Sequence, residues 1–317
     1  MAQISVVIPL YKCEECIDEL YERLLKTLST ITLDYEIIFV NDGSPQGDWN
    51  KIKKISESDK KVKSICLFRN FGQHYAITAG IDISRGEYTV VMDGDLQDQP
   101  EEIIKLYNKV LQGHDVVFAR RVHRQDKYFK KMCSIFFYLC LSYFTDTEYD
   151  PSIANFSISR KAVIDNFKLI REQNRLFPVF IRWIVGKFET VEVVHSQRYS
   201  GISSYTFGKL INLALDIIIS QSNKPLKLFI KFGFLMSLAS LVYSLYLIYF
   251  YMVHLVPVEG WTSLMVSIYF ISGIGFSSLG ILGLYVGKIF DETKQRPLYL
   301  VKSRINFQGD SDEDYTK

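Results

Sequence analysis

The residues best suited to chemistry lie between Met92 and Pro100, in the run Asp93-Gly94-Asp95-Leu96-Gln97. If the backbone stays extended there, two carboxylates and an amide oxygen at alternate positions share one face, because strand side chains alternate with period two. Hard oxygen donors of this kind suit Mg2+ or Mn2+, with water and phosphate oxygens completing the shell. An Asp-x-Asp pair alone is common in turns. Here it follows the apolar run 88–92 and precedes Pro100-Glu101-Glu102, which reads as a helix start. Gly94 would leave room for a ligand against the backbone.

Such a run needs a scaffold, and the flanking sequence supplies one. Short β-branched or apolar runs at 4–8, 35–40, 62–68, 88–92 and 115–119 predict five strands. Between them, Ile17, Leu20, Leu24 and Leu28, and then Ile103, Leu106 and Val110, recur at helical spacing. Strands alternating with helices predict an α/β domain built on a mainly parallel sheet covered on both faces. Ligands bind beyond the carboxyl ends of such strands. Those ends carry Pro9 and Tyr11, then Asn41-Asp42-Gly43-Ser44, then Asp93 to Gln97, then Arg120-Arg121. Carboxylates and arginines therefore gather at one sheet edge.

Several rival chemistries lack their residues. No Gly-x-Gly-x-x-Gly follows the first strand, no Gly-x-x-x-x-Gly-Lys-Ser/Thr occurs, and no Gly-x-Ser-x-Gly elbow is present. Cys13-Glu-Glu-Cys16 has redox-motif spacing, but one pair cannot close a structural zinc site. Cys66, Cys133 and Cys140 read as packing, and five cysteines in 317 residues favour a reducing compartment. A net charge of +2 argues against nucleic acid as a partner. The acidic run 310–314 reads as a solvated tail.

The charge is unevenly spread. Residues 232–256 and 261–287 contain no Asp, Glu, Lys or Arg, and each is long enough to cross a hydrocarbon core needing about 20 residues. The link Pro257-Val258-Glu259-Gly260 makes them a tight hairpin. Lys224, Lys227 and Lys231 precede the pair and Lys288, Lys294 and Arg296 follow it, so both termini are expected in the cytoplasm. The start of the sequence has no basic region and carries Pro9 inside its apolar run, unlike a signal peptide. Residues 1–225 are thus expected as a cytosolic domain, 226–290 as two transmembrane helices, and 291–317 as a cytosolic tail. Stretches near 128–145 and 205–221 read as interfacial helices. Gly273, Gly275, Gly280 and Gly283 could allow close helix contacts in a homo-oligomer.

Taken as an ordered set, the motifs resemble those of glycosyltransferase family 2, over nearly the whole chain. The set runs Val-Ile-Pro-Leu-Tyr at 7–11, Glu-Ile-Ile-Phe-Val-Asn-Asp-Gly-Ser at 36–44, Arg-Asn-Phe-Gly at 69–72, Thr-Ala-Gly at 78–80 and Val-Met-Asp-Gly-Asp-Leu-Gln at 91–97. It continues with Asn-Phe-Ser-Ile-Ser-Arg at 155–160, Arg198-x-x-Gly201-x-Ser203-x-Tyr205 and Arg-Pro-Leu-Tyr at 296–299. Within the family the chain looks most like the polyprenyl-phosphate glycosyltransferases, which include dolichyl-phosphate mannose synthase and the GtrB-type enzymes. The resemblance implies a GT-A fold that transfers one sugar, with inversion, from a nucleotide-sugar (a UDP-sugar on the GtrB-like architecture) to an undecaprenyl or dolichyl phosphate at the cytosolic membrane face. The product would serve cell-envelope glycan modification.

By the same resemblance, Pro9, Tyr11, Val40, Asp42, Asp93, Gly94 and Asp95 hold the nucleotide-sugar, and Asp93, Asp95 and Gln97 hold the metal. Arg120, Arg124, Arg198 and Ser203 surround the acceptor phosphate, with Asp95, Arg120 and Arg198 as the catalytic set. The family's usual Tyr-Asn-Glu is Tyr11-Lys12-Cys13 here, so the acidic nucleotide contact is either missing or taken by Glu14 or Glu15. Two alternative readings fit the residues less well. A processive polysaccharide synthase would want Gln-x-x-Arg-Trp, but Val179 precedes Arg182-Trp183. A non-catalytic scaffold would have no use for clustered carboxylates.

Overall fold

The computed structural model describes residues 3–121, 143–144, 152–194, 218–219, 222–254 and 260–307. The chain divides into two compact units. One comprises residues 1–131, 150–204 and 296–317, and the other 132–149 and 205–295.

In the first unit, β1 (Ile4–Leu10) is buried along its whole length, and β2 (Tyr35–Asn41), β3 (Val62–Leu67) and β4 (Tyr88–Val91) extend its sheet in parallel. Three helices cross between these strands: α1 (Ile17–Ile31), α2 (Asp48–Ser58) and α3 (Gln73–Ile83). A 3-10 turn at Pro100–Glu102 then leads into α4 (Ile103–Val110) and β5 (Val116–Arg121). All five predicted strands are present, with ends shifted by no more than two residues. Helix periodicity explains the packing: Ile17, Leu20, Leu24 and Leu28 of α1 are all fully buried against one face of the sheet. Ala76, Ile77 and Ile81 of α3 cover the other. Apolar burial on both faces is what a central parallel strand requires.

Beyond β5 the architecture departs from simple alternation. β6 (Ile153–Arg160) inserts antiparallel between β4 and β5, and β7 (Glu189–Val193) adds in parallel to β5. Helices α5 (Lys161–Leu169) and α6 (Phe177–Val185) lie between β6 and β7 in the chain. The segment expected as a tail instead returns to the sheet. There β8 (Val301–Ile305) pairs antiparallel with β3, giving the order β7-β5-β6-β4-β1-β2-β3-β8. Leu298 is buried, the Tyr299 hydroxyl donates to Asp82 Oδ2 at 2.7 Å, and Arg171 grips both Asp82 oxygens at 2.8 and 3.0 Å. The sheet is mixed, with four parallel and three antiparallel pairings.

The second unit contains α7 (Lys224–His254) and α8 (Trp261–Thr293), of 31 and 33 residues. Both are long and apolar enough to cross a membrane, each with a mean hydropathy of 1.6 over its candidate span. Their large apolar side chains face outward, Phe234, Met252, Tyr269 and Phe276 among them. The stretches expected as interfacial helices lie almost wholly outside the described residues, as does most of the link between α7 and α8.

Candidate active site

Four chain segments converge at the carboxyl ends of β1, β2 and β4 and the amino end of α3. The buried Asp42 closes β2. Its Oδ1 accepts the Phe71 N–H at 2.8 Å and its Oδ2 the Gly72 N–H at 2.9 Å. Burial raises the Asp42 carboxyl above its usual range, and these two amides partly offset that. Both oxygens are thus committed to backbone, and Asp42 is only 2% exposed. It shapes the 70–72 turn from within. The turn needs its glycines: Gly43 has φ +61° and Gly72 φ +109°, both in the left-handed region.

The Asp-Gly-Asp-Leu-Gln run is a turn, not the extended segment that period two assumed. β4 ends at Val91, Leu96 has φ +60°, and Asp95 Oδ1 accepts the Gln97 N–H at 3.2 Å. A turn lets the carboxylates crowd more closely than a flat strand would. Burial pushes the Asp93 carboxyl well above the ordinary range and the charges of Asp98 and Asp95 push it further, while Arg121 and the Asn155 amide draw it back. Gly94 also has a packing reason, since a Cβ there would stand 2.3 Å from Leu10 Cδ2.

The other expected residues fall unevenly. Pro9 and Val40 are buried within the sheet, so their side chains are core. Tyr11 is 42% exposed and stands at the end of β1 with Lys12 Nζ over its ring. Gln97 is partly exposed, and Arg120 is exposed with its Nε donating to Ser152 Oγ at 3.3 Å. Arg124, Arg198 and Ser203 lie outside the described residues. Glu14, expected as a substitute nucleotide contact, accepts the Gly47 N–H at 3.0 Å.

Sequence reasoning overlooked three participants. Asp98, 1% exposed, pairs with Arg121 at 3.2 Å directly beneath the motif. Gln73 Nε2 donates to Asp93 Oδ1 at 2.6 Å, and Asn155 Nδ2 approaches the same oxygen at 3.4 Å. Asp98 sits one residue past the motif, and Gln73 directly follows Arg-Asn-Phe-Gly, so adjacency to a recognised motif was the available signal.

Two carboxylates and an amide flanked by guanidinium groups, at the carboxyl edge of a parallel sheet, can hold a cation and the phosphates it neutralises. The sequence pattern described as glycosyl transferase family 2 matches residues 5–169, just over half of the chain. The chain belongs to glycosyltransferase family 2. Three relatives match nearly end to end. A Bacillus subtilis protein described as an uncharacterized glycosyltransferase is 38% identical, covering 97% of this chain and 95% of its own. A bactoprenol glucosyl transferase of Shigella phage SfX is 34% identical over 95% and 99%. An undecaprenyl-phosphate 4-deoxy-4-formamido-L-arabinose transferase of Proteus mirabilis is 32% identical over 96% and 94%.

In this glycosyltransferase the Cys13-x-x-Cys16 pair is not poised for redox work. Burial pushes the Cys13 thiol up to about 12. A group raised in this way stays protonated until the pH approaches its shifted value, and the thiol form is a poor nucleophile. Cys13 should therefore alkylate at least about tenfold more slowly than a free thiol at pH 8. Peptide mass spectrometry after timed iodoacetamide exposure measures this, and fast labelling would overturn it.

Proposed function

We propose that this glycosyltransferase moves one sugar from a nucleotide-sugar, with a UDP-sugar as donor, onto a polyprenyl phosphate such as undecaprenyl or dolichyl phosphate. The reaction inverts the sugar carbon and runs at the cytoplasmic face of a membrane, using Mg2+ or Mn2+. One observation carries the reading. The Asp93–Asp95 site lies in a chain that matches a bactoprenol glucosyl transferase over 95% of its length, apolar helices included. The sugar is left open, because two relatives of similar identity are named for different ones.

The residues fit a cation. Asp93 is crowded by Asp95 and Asp98, and a divalent ion relieves that repulsion. Among the described residues no three His, Cys, Asp or Glu side chains converge as a cage. Mg2+ and Mn2+ are usually held by one or two carboxylates, with phosphate and water oxygens supplying the rest. Asp93, Asp95 and Gln97 would hold the ion, which when bound neutralises charge on the departing diphosphate.

The chain's own groups do the remainder. An acceptor phosphate is already an anion, so no side chain has to deprotonate it. Arg120 and Arg198 orient it and screen its charge as it approaches the sugar carbon from the face opposite the diphosphate. A single displacement of that kind inverts the centre.

α7 and α8 are apolar on all sides, which suits lipid rather than water. The β3–β8 pairing supports a hairpin, because a chain that leaves a sheet for the bilayer and returns must cross an even number of times. Basic residues outside both ends favour cytoplasmic termini.

The test is transfer of radiolabel from UDP-, GDP- and dTDP-sugars into organic-extractable polyprenyl phosphate, with Mg2+, with Mn2+ and with EDTA. A metal-dependent lipid product from one donor is expected. Label in an insoluble polymer would replace this reading with a processive synthase.

A further inference from the structure

Asp93 is held in a way that the cation reading does not by itself require. Its carboxylate lies on a broad, nearly two-fold torsion and would rotate if unrestrained. Two amides meet the same oxygen: Gln73 Nε2 at 2.6 Å and Asn155 Nδ2 at 3.4 Å, both on Oδ1. They come from distant parts of the fold, α3 and β6, and together they fix the carboxylate plane and leave Oδ2 for another partner. Gln73 is in turn the first residue of α3, launched directly from Gly72, whose N–H binds the buried Asp42. A chain of contacts thus runs from the end of β2, through the 71–72 turn and Gln73, to the end of β4.

We propose that Gln73, placed by Asp42 through the 71–72 turn, is the positioning residue that orients Asp93 Oδ2 toward the cation. The proposal rests on the cation reading above and goes beyond it in assigning Gln73 and Asp42 a role in metal affinity. Gln73 itself is exposed in the cleft, so replacing it does not disturb the core. With Gln73→Met, which keeps length but removes the donor, Asp93 is held only by the longer Asn155 contact and the ion must freeze more of its rotation on binding.

The experiment is Mn2+ binding to the full-length protein in detergent with UDP present to supply phosphate oxygens, followed by the loss of the free-ion electron paramagnetic resonance signal beyond that caused by UDP alone. Wild type should bind Mn2+, Asp95→Asn should lose binding, and Gln73→Met should weaken it three- to tenfold with an unchanged thermal midpoint. Gln73→Asn, which keeps an uncharged N–H donor one methylene shorter, should recover part of the affinity. Wild-type affinity in Gln73→Met, with Asp95→Asn still defective, would overturn the role of Gln73 and leave the cation reading standing. Absence of Mn2+ binding by wild type would overturn both.

Discussion

Asp95→Asn should cut sugar transfer by about 10²–10³-fold, the range seen when one group that stabilises transition-state charge is removed. The substitution conserves shape. An asparagine Oδ1 can still accept the Gln97 N–H, so the turn after β4 keeps its internal bond. What goes is half of the charge that Asp93 and Asp95 offer a divalent ion, and with it neutralisation of the leaving diphosphate. Single-turnover transfer from the preferred donor, beside a thermal unfolding curve, separates the two effects. Near-normal transfer by a folded Asn variant would end the assignment of Asp95 to the cation.

Gly43→Ala should act through stability. Gly43 has φ +61°, and a Cβ there would lie 2.3 Å from the Arg69 carbonyl carbon and 2.6 Å from the Asn70 nitrogen. Those are backbone atoms. They cannot step aside without pulling on the next two residues, whose N–H groups bind Asp42. The choice is between a clash and a buried carboxylate stripped of its donors, and either one is among the mechanisms that produce large losses. A cost of about 3 kcal/mol or more is expected, or roughly 6–12 °C in the midpoint for a unit of this size. A midpoint in detergent within 2 °C of wild type, on the same scale of roughly 2–4 °C per kcal/mol, would contradict this. Gly113→Ala makes a useful contrast: its φ is +100°, but nothing lies within 4 Å of the added Cβ among the described residues, so only backbone strain is tested.

The parallel half of the sheet was legible because its signals are local. Each of β1 to β5 is a short apolar run with a chemically distinctive residue at its end, and α1 carries a regular buried stripe. β6 was missed although its pattern alternates: Phe156 and Ile158 are buried apolar residues, but Ser157 and Ser159 between them are buried as well. Polar residues inside a sheet read as a loop. β7 and β8 span five residues each with half-exposed patterns, too short to stand out by periodicity. At the site, Asp93 and Asp95 were legible by spacing, whereas Gln73 and Asn155 reach Asp93 across 20 and 62 residues of sequence. Asp42 stands at a strand end, where the sequence suggests ligand contact, and its two bonds to Phe71 and Gly72 add an architectural part that spacing does not show.

The late return of β8 to the sheet constrains how the protein is made. The ribosome releases β1 to β7 first, with the outer edge of β3 unpaired, because Val301–Ile305 emerges only after α7 and α8. For that interval the nascent chain carries an open β edge, the kind of template that recruits other strands. Release of α7 and α8 and completion of the sheet are therefore serial events. A ribosome that stalls after α8 would leave a chain whose β3 edge is uncovered, and that edge alone would mark it as unfinished.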